Sequence, residues 1–322
     1  MPGGDQTLCL FSGNAALRLA TRVGEELNQP LSPAVVTKWA NGETRVQLQT
    51  NVRGADVFIF QSFDNNVNDY LMELLLIIDA AMRASAERIT VVTPYLPYSK
   101  QEKKVRGREP IAAKVIANLL RVTGAHRVVA IDLHERAIQG FYDMPFDHLT
   151  ALGVLAEHLQ KLGFGDGEAV IIAPDEGGVE KAVILAQMLD TSVAVVFKRH
   201  QKDDPEAVET AGFVGEVEGK RAVIVDDMIL GGSTLANAAR EVLGAGASEV
   251  SAAITHAILC GDALERIQES ALARLVVTDT TLPERAYDCP KVDVASVAPL
   301  LAEAIRRIHR NESVSELVPK EV

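Results

Sequence analysis

Between residues 221 and 241 the chain reads RAVIVDDMILGGSTLANAARE. A β-branched run delivers two adjacent carboxylates, Asp226 and Asp227, to a turn holding Gly231, Gly232, Ser233 and Thr234, and a helical pattern follows. A glycine turn that opens a helix presents backbone N–H groups and hydroxyls to an anion, commonly a phosphate. Carboxylates repel phosphate, so the two acids would face something else, either vicinal sugar hydroxyls or a divalent cation. The arrangement fits a sugar phosphate, with the diol at the acids and the phosphate at the turn. The same residues would also serve as an ordinary helix cap through Ser233 or Thr234. Three further polar segments follow apolar runs: IDLH at 131–134, APDEGG at 173–178 and FKRH at 197–200. Ligands of open parallel sheets bind beyond the carboxyl ends of the strands, and these exits belong there.

The elements that must hold these residues are legible in the pattern. Short apolar runs at 56–62, 88–95, 127–134, 169–175, 193–199, 222–228, 250–257 and 274–280 read as strands. Their continuous Val/Ile character, without strict alternation, predicts strands buried on both faces of parallel sheets. Amphipathic helices are expected over 69–86, 111–123, 150–162, 178–189 and 233–245. Strand–helix alternation of this kind means an α/β, doubly wound architecture. Three stretches, MRASAERITVVTPY, LRVTGAHRVVAIDLH and VLGAGASEVSAAITHA, repeat one order of helix end, small-residue turn and buried strand. This predicts two related domains, 1–149 and 150–322, with the last helix able to pack back on the first.

Composition bounds the function. The 322 residues carry a net charge of −12 with 48% hydrophobic and 24% charged residues, which suits a soluble globular protein and disfavours a nucleic-acid partner. Cys9, Cys260 and Cys289 are too dispersed for a disulfide framework or a zinc site, as expected of the reducing cytoplasm. The N-terminus has no signal-peptide pattern, and the longest apolar run, LMELLLIIDAAM, is too short and too charged to span a membrane. No GxxxxGK[ST] phosphate loop occurs.

VDDMILGGSTL resembles the phosphoribosyl-diphosphate (PRPP) motif shared by type I phosphoribosyltransferases and ribose-phosphate diphosphokinases. WANGETRVQL, VRGADVFIFQS, VNDYLMELLLIIDA, PYLPYSKQEKK, GREPIAAK, DLHERAIQGFYDMPFDH, APDEGGVEKA and SVAPLLAEAIRRIH resemble the diphosphokinases nearly end to end. The resemblance implies two doubly wound, type I phosphoribosyltransferase-like domains. It also implies Mg²⁺-dependent transfer of the diphosphoryl group of ATP to O1 of ribose 5-phosphate, giving PRPP and AMP. By that resemblance Trp39 stacks on adenine while Asn41 and Glu43 read its edge. Lys100, Gln101 and Glu102 contact ATP, with Arg108 available to compensate for a lysine where the family has arginine. His134 and Asp175 contact the metal; Asp132, Asp143 and Asp147 add the oxygen donors that Mg²⁺ prefers. Asp226, Asp227 and Leu230–Thr234 hold ribose 5-phosphate, and Gly177-Gly178 allows a further close backbone approach. The charged segment 197–210 reads as a mobile loop carrying the catalytic Lys198, with Arg199 and His200. Relatives are commonly homo-oligomers, often hexamers, and Arg53 matches a regulatory position.

Departures from the family pattern bear on rate. His200 stands for arginine, Ala137 for glutamine, and Leu230-Gly231-Gly232-Ser233-Thr234 for Asp-Thr-Ala-Gly-Thr. They leave two alternatives open: a catalytically weak or regulatory homologue, and a phosphoribosyltransferase. Whether a metal or Asp227 assists deprotonation of the anomeric hydroxyl, which nucleotides serve as donor, and how the protein is regulated all stay open at this level.

Overall fold

The structure, a computed structural model, describes residues 7–165, 167–201 and 204–317, and the side chains of 197–212 are outside the description. The described residues form two compact units, one of 7–150 with 297–317 and the other of 151–296.

In the first unit, β1 (Leu8–Ser12) is followed by α1 (Leu17–Leu27), and β2 (Ala34–Lys38) and β3 (Thr44–Leu48) form an antiparallel hairpin. Then come β4 (Asp56–Phe60), α2 (Val67–Arg83), β5 (Arg88–Val92), α3 (Ala112–Thr123), β6 (Arg127–Ile131) and β7 (Phe146–Leu149). The main sheet has the order β1-β4-β5-β6-β7 and is parallel throughout. Alternate residues of its strands, among them Phe11, Val57, Ile59, Val91 and Val128, enter a core shared with α2 and α3.

The second unit contains α4 (Leu152–Lys161), β8 (Ala169–Ala173), α5 (Val179–Leu189), β9 (Ser192–Gln201), β10 (Asp204–Val214), β11 (Arg221–Ile229) and α6 (Ser233–Gly244). It continues through β12 (Glu249–Ala257), α7 (Ala263–Glu269), β13 (Arg274–Thr278) and β14 (Val292–Ala295). Its sheet has the order β10-β9-β8-β11-β12-β13-β14, and only the β9–β10 pair is antiparallel. Val170, Ile172, Ala222 and Ile224 face one core with α6 and α7, whereas Ile171, Ala173, Val223 and Val225 face the other with α4 and α5. Burial on both faces is why these strands are apolar without alternation.

The final helix, α8 (Ala298–His309), packs on α1 in the first unit. Its end is tied down by a buried ionic cluster. Asp56 is fully buried and accepts bonds from Arg88 Nε (2.8 Å) and Nη2, and it lies 2.8 Å from His309 Nδ1. Arg88 also donates to the Ile308 carbonyl and to Asn311 Oδ1, each at 3.0 Å, so the guanidinium ties the strand to the end of α8 as well as to Asp56.

One segment departs from expectation. The charged stretch 197–210, read as a loop, is largely strand: Lys198 pairs with Thr210, Arg199 with Glu209 and His200 with Val208. The side chains of Lys198, Arg199 and His200 lie outside the described residues. At the edge of a sheet, backbone pairing does not require apolar side chains, so charge density is a poor guide to coil here.

Candidate active site

In the second unit β11 runs past β8, whose pairing with it ends at Ile224–Ile172, and so carries Asp226 and Asp227 to the carboxyl rim of the sheet. Their environments differ. Asp227 is buried, and Lys181 Nζ from the first turn of α5 stands 3.9 Å from its Oδ2. The Asp227 N–H donates to Asp226 Oδ1 at 2.8 Å. Burial, reinforced by the neighbouring Asp227 carboxylate, pushes the Asp226 pKa up to about 7, against a smaller downward pull from that N–H bond and from Lys181. The pair is therefore an acceptor-rich edge suited to sugar hydroxyls, with one carboxyl half protonated near neutrality.

The turn after β11 has a definite construction. The Leu230 carbonyl accepts from the Cys260 N–H at 2.9 Å, and the Gly231 carbonyl accepts from Arg266 Nη1 at 2.7 Å. Gly232 is the N-cap of α6 in the left-handed region, φ 74°, where a side chain would be strained. The cap uses no side-chain bond, so Ser233 and Thr234 are not capping residues; both lie exposed in the first turn of α6. Among the described residues no acceptor takes the N–H groups of Gly231, Gly232 or Ser233. Unpaired donors at the positive end of a helix form an anion cradle. Leu230 is half-buried.

Asp175 is exposed and has an extended backbone, and its Oδ1 accepts the Gly178 N–H at 3.1 Å, capping the short 3-10 turn that leads into α5. Of the Gly177-Gly178 pair expected to allow a close backbone approach, the Gly178 N–H thus already has an acceptor.

In the first unit, the β2–β3 hairpin presents Trp39, 52% exposed, at its tip. The Arg45 guanidinium lies 4.7 Å from the Trp39 ring centroid, which braces the indole from one side. The Trp39 N–H donates to the Glu43 carbonyl (2.7 Å) and Asn41 Oδ1 accepts from the Glu43 N–H (3.2 Å), so Trp39, Asn41 and Glu43 form one ordered turn. A solvent-facing aromatic beside polar edge groups is what a purine ring needs.

Lys100 and Gln101 line a cavity of about 500 Å³ together with Asn66, Asn68, Asp69 and Tyr98. Tyr98 has φ 60° and its hydroxyl donates to Asn68 Oδ1. Glu102 is bonded to Lys103 at 3.0 Å, and its pKa is lowered: burial acts to raise it, but a backbone hydrogen bond, Lys103 and the nearby His134 outweigh that. Arg108 is exposed at φ 70° in a turn organised by Glu109, whose Oε2 accepts the Val105 and Arg106 N–H groups at 2.8 Å each.

Asp132 follows β6 in the left-handed region, φ 40°, and is buried, while His134 is exposed. The Asp132 N–H donates to the Leu149 carbonyl and the Leu133 N–H to His148 Nε2, each at 3.0 Å, so β7 supports the turn. The other two expected metal donors are engaged elsewhere. Asp147, in β7, is ion-paired with Arg127 at 2.5 Å, and Asp143 faces Lys114 at 3.7 Å. The pairing of Val129 with Asp147 brings the carboxylate beside Arg127, two residues away on the same face of β6. Among the described residues no three His, Cys, Asp or Glu side chains are grouped to hold a metal ion.

Three residues went unremarked in the sequence. Lys181 lies one turn beyond Gly178 and could have been found from that spacing, whereas His148 and Arg266 reach their partners only through the fold.

Residues 8–124 match the family described as the N-terminal domain of ribose phosphate pyrophosphokinase, and residues 206–319 match the phosphoribosyl synthetase-associated domain. The chain is 44% identical to the ribose-phosphate pyrophosphokinase of Fusobacterium nucleatum over 96% of its own length and 97% of that protein. It is 47% identical to that of Maricaulis maris, covering 96% and 99% respectively. Its fold is similar to that of phosphoribosylpyrophosphate synthetase from Mycobacterium smegmatis, with a TM-score of 0.88 and 38% identity, covering 95% of this chain and all of that one (100%). Matches of this length and identity, with the acid pair and the glycine cradle in place, establish that the chain belongs to the ribose-phosphate pyrophosphokinase family.

Proposed function

We propose that the chain transfers the β,γ-diphosphoryl group of ATP to O1 of ribose 5-phosphate, releasing AMP and PRPP. The observation that carries this reading is the pairing of Asp226 and Asp227 with a turn whose Gly231, Gly232 and Ser233 N–H groups have no acceptor among the described residues. Asp226 and Asp227 accept bonds from the ribose hydroxyls, while Gly231, Gly232, Ser233 and Thr234 receive the 5-phosphate. Trp39 stacks on adenine, Asn41 and Glu43 read its edge, and Lys100, Gln101, Glu102 and Arg108 engage the rest of ATP.

Mg²⁺ fits this donor set as an ion borne by the nucleotide. It would keep waters and substrate phosphates as ligands and ask the protein for only one or two carboxylates, a role open to the buried Asp132, near His134 in sequence, or to the exposed Asp175. When bound it neutralises charge on the phosphate oxygens. The chain's own part is alignment of the O1 nucleophile and cationic support from Lys198 and Arg199, with His200 next in the chain, on which phosphoryl transfer chiefly depends. The reading of a weak or regulatory homologue rests on His200 and Leu230. Leu230 serves the turn through its backbone carbonyl, which favours the active enzyme.

Cytoplasmic residence is part of the proposal, supported by three free cysteines, as is self-association through the exposed Met82, Val115 and Val122 on α2 and α3. Light scattering on a sizing column tests the latter, and a monomer at micromolar concentration would refute it. Among the described residues no helix is long and apolar enough to cross a membrane. The decisive experiment incubates the protein with Mg²⁺, ATP and ribose 5-phosphate. AMP and PRPP should appear one for one; ADP in place of AMP would overturn the assignment.

A further inference from the structure

We infer that Arg266 is the positioning residue that turns the Leu230–Gly232 backbone toward the phosphate of the acceptor sugar. The inference rests on the proposed function, since it takes that phosphate as the occupant of the turn.

The argument is one of peptide geometry. A trans peptide is planar, and its C=O and N–H point in opposite directions. The Leu230 carbonyl is held by the Cys260 N–H at 2.9 Å, so the Gly231 N–H, in the same peptide plane, points away from the segment after β12. The Gly231 carbonyl is held by Arg266 Nη1 at 2.7 Å, so the Gly232 N–H points away from α7 in the same manner. Two successive peptides are thus anchored by their oxygens on one side and present their hydrogens on the other, which is the construction of an anion nest. The anchored side is closed: a Cβ on Gly232 would lie 3.2 Å from the Ala263 carbonyl and 3.6 Å from Ile267. Of the two anchors, the Cys260 N–H is main chain and insensitive to substitution, whereas the Arg266 bond is made by a side chain. Arg266 makes no ion pair with a described acid, so its guanidinium is committed to the Gly231 carbonyl alone among the described residues. Neighbouring Arg285 is different: it is paired with Glu265 at 3.5 Å and spends its donors on the Leu259 and Gly261 carbonyls.

Without Arg266 the Gly231–Gly232 peptide, flexible at both glycines, is free to rotate, and its carbonyl oxygen can face the phosphate. The effect should fall on acceptor binding and spare the donor. We expect Arg266→Ala to weaken ribose 5-phosphate binding about tenfold, measured by calorimetry without nucleotide and as KM in the AMP-release assay. The KM for ATP and kcat at saturation should change less than twofold, and Arg266→Lys, which can still donate to the Gly231 carbonyl, should recover most of the loss. Melting curves of all forms establish folding, and Arg266→Met, which keeps the apolar stem, replaces the alanine variant if that one melts early. Unchanged ribose 5-phosphate affinity in a folded Arg266→Ala or Arg266→Met protein overturns the inference, as does a loss in kcat alone or a lysine variant no better than alanine. Failure of the underlying reading looks different: the unsubstituted protein would then neither bind ribose 5-phosphate nor release AMP.

Discussion

Replacing Asp226 by asparagine should stabilise the ligand-free protein, and by an amount that grows with pH. The carboxyl is half-buried at the end of β11 against Asp227, and its pKa is pushed from 3.8 to about 7, first by burial and then by that neighbouring acid. A group that holds its proton more tightly when folded contributes stability that is complete below the unfolded pKa and is lost as pH rises through the folded one. For Asp226 the loss therefore runs from about pH 4 to just above pH 7. A shift of about three units at 1.36 kcal/mol per unit sets the whole effect at about 4 kcal/mol, and relaxation around the charge brings the expected value to about 2–4 kcal/mol. Asparagine keeps the shape, cannot ionise, and leaves Asp227 with Lys181 as its charged neighbour. Calorimetric melting at pH 5 and pH 8 reads the difference directly. The variant should gain on the order of 10 °C over the parent at pH 8 and a few degrees at pH 5. Equal gains at the two pH values would refute the assignment of the strain to an ionised Asp226. The same substitution should raise the KM for ribose 5-phosphate, as the proposed acceptance of ribose hydroxyls by Asp226 requires.

Gly232→Ala places a side chain at φ 74° and within 3.2 Å of the Ala263 carbonyl, so it should cost about 1–2 kcal/mol in a melting assay and raise the KM for ribose 5-phosphate more than that for ATP. Trp39→Ala should raise the KM for ATP roughly tenfold with little change for ribose 5-phosphate, while Trp39→Phe stays close to the parent; steady-state kinetics with each substrate varied separately checks this. Asp56→Ala strips the acceptor from Arg88 and the partner from His309 in a buried corner, and should destabilise the first unit by about 3–5 kcal/mol, seen as an early calorimetric transition.

Much of the fold can be read along the chain because a strand covered on both faces must be apolar at every position. The runs ending at Ala173 and Val225 owe their uninterrupted character to two separate cores, one taking Val170 and Ile172 and the other Ile171 and Ala173. Strands with one dry face or a free edge escape that rule. The β2–β3 hairpin, the polar FDHL of β7 and the charged β10 carry too little apolar signal to stand out. Within the site, the acid pair and the glycine turn were visible because each is contiguous and its chemistry follows from residue type. Asp147 was not separable from Asp132 on that basis: both are acids in one short segment, yet strand pairing sets one against Arg127 and leaves the other on a left-handed turn.

The α/β architecture, the acid pair, the glycine turn and the family follow from the order of residues alone, since these depend on local periodicity and on contiguous motifs. Which acid is strained, which donors are satisfied and which side chain holds the turn emerge from folding. Lys181 stands against Asp227 across strand and helix, and Arg266 reaches back 35 residues to Gly231. Burial, hydrogen-bond accounting and the setting of a peptide plane are properties of groups brought together by folding, and no single stretch of chain contains them.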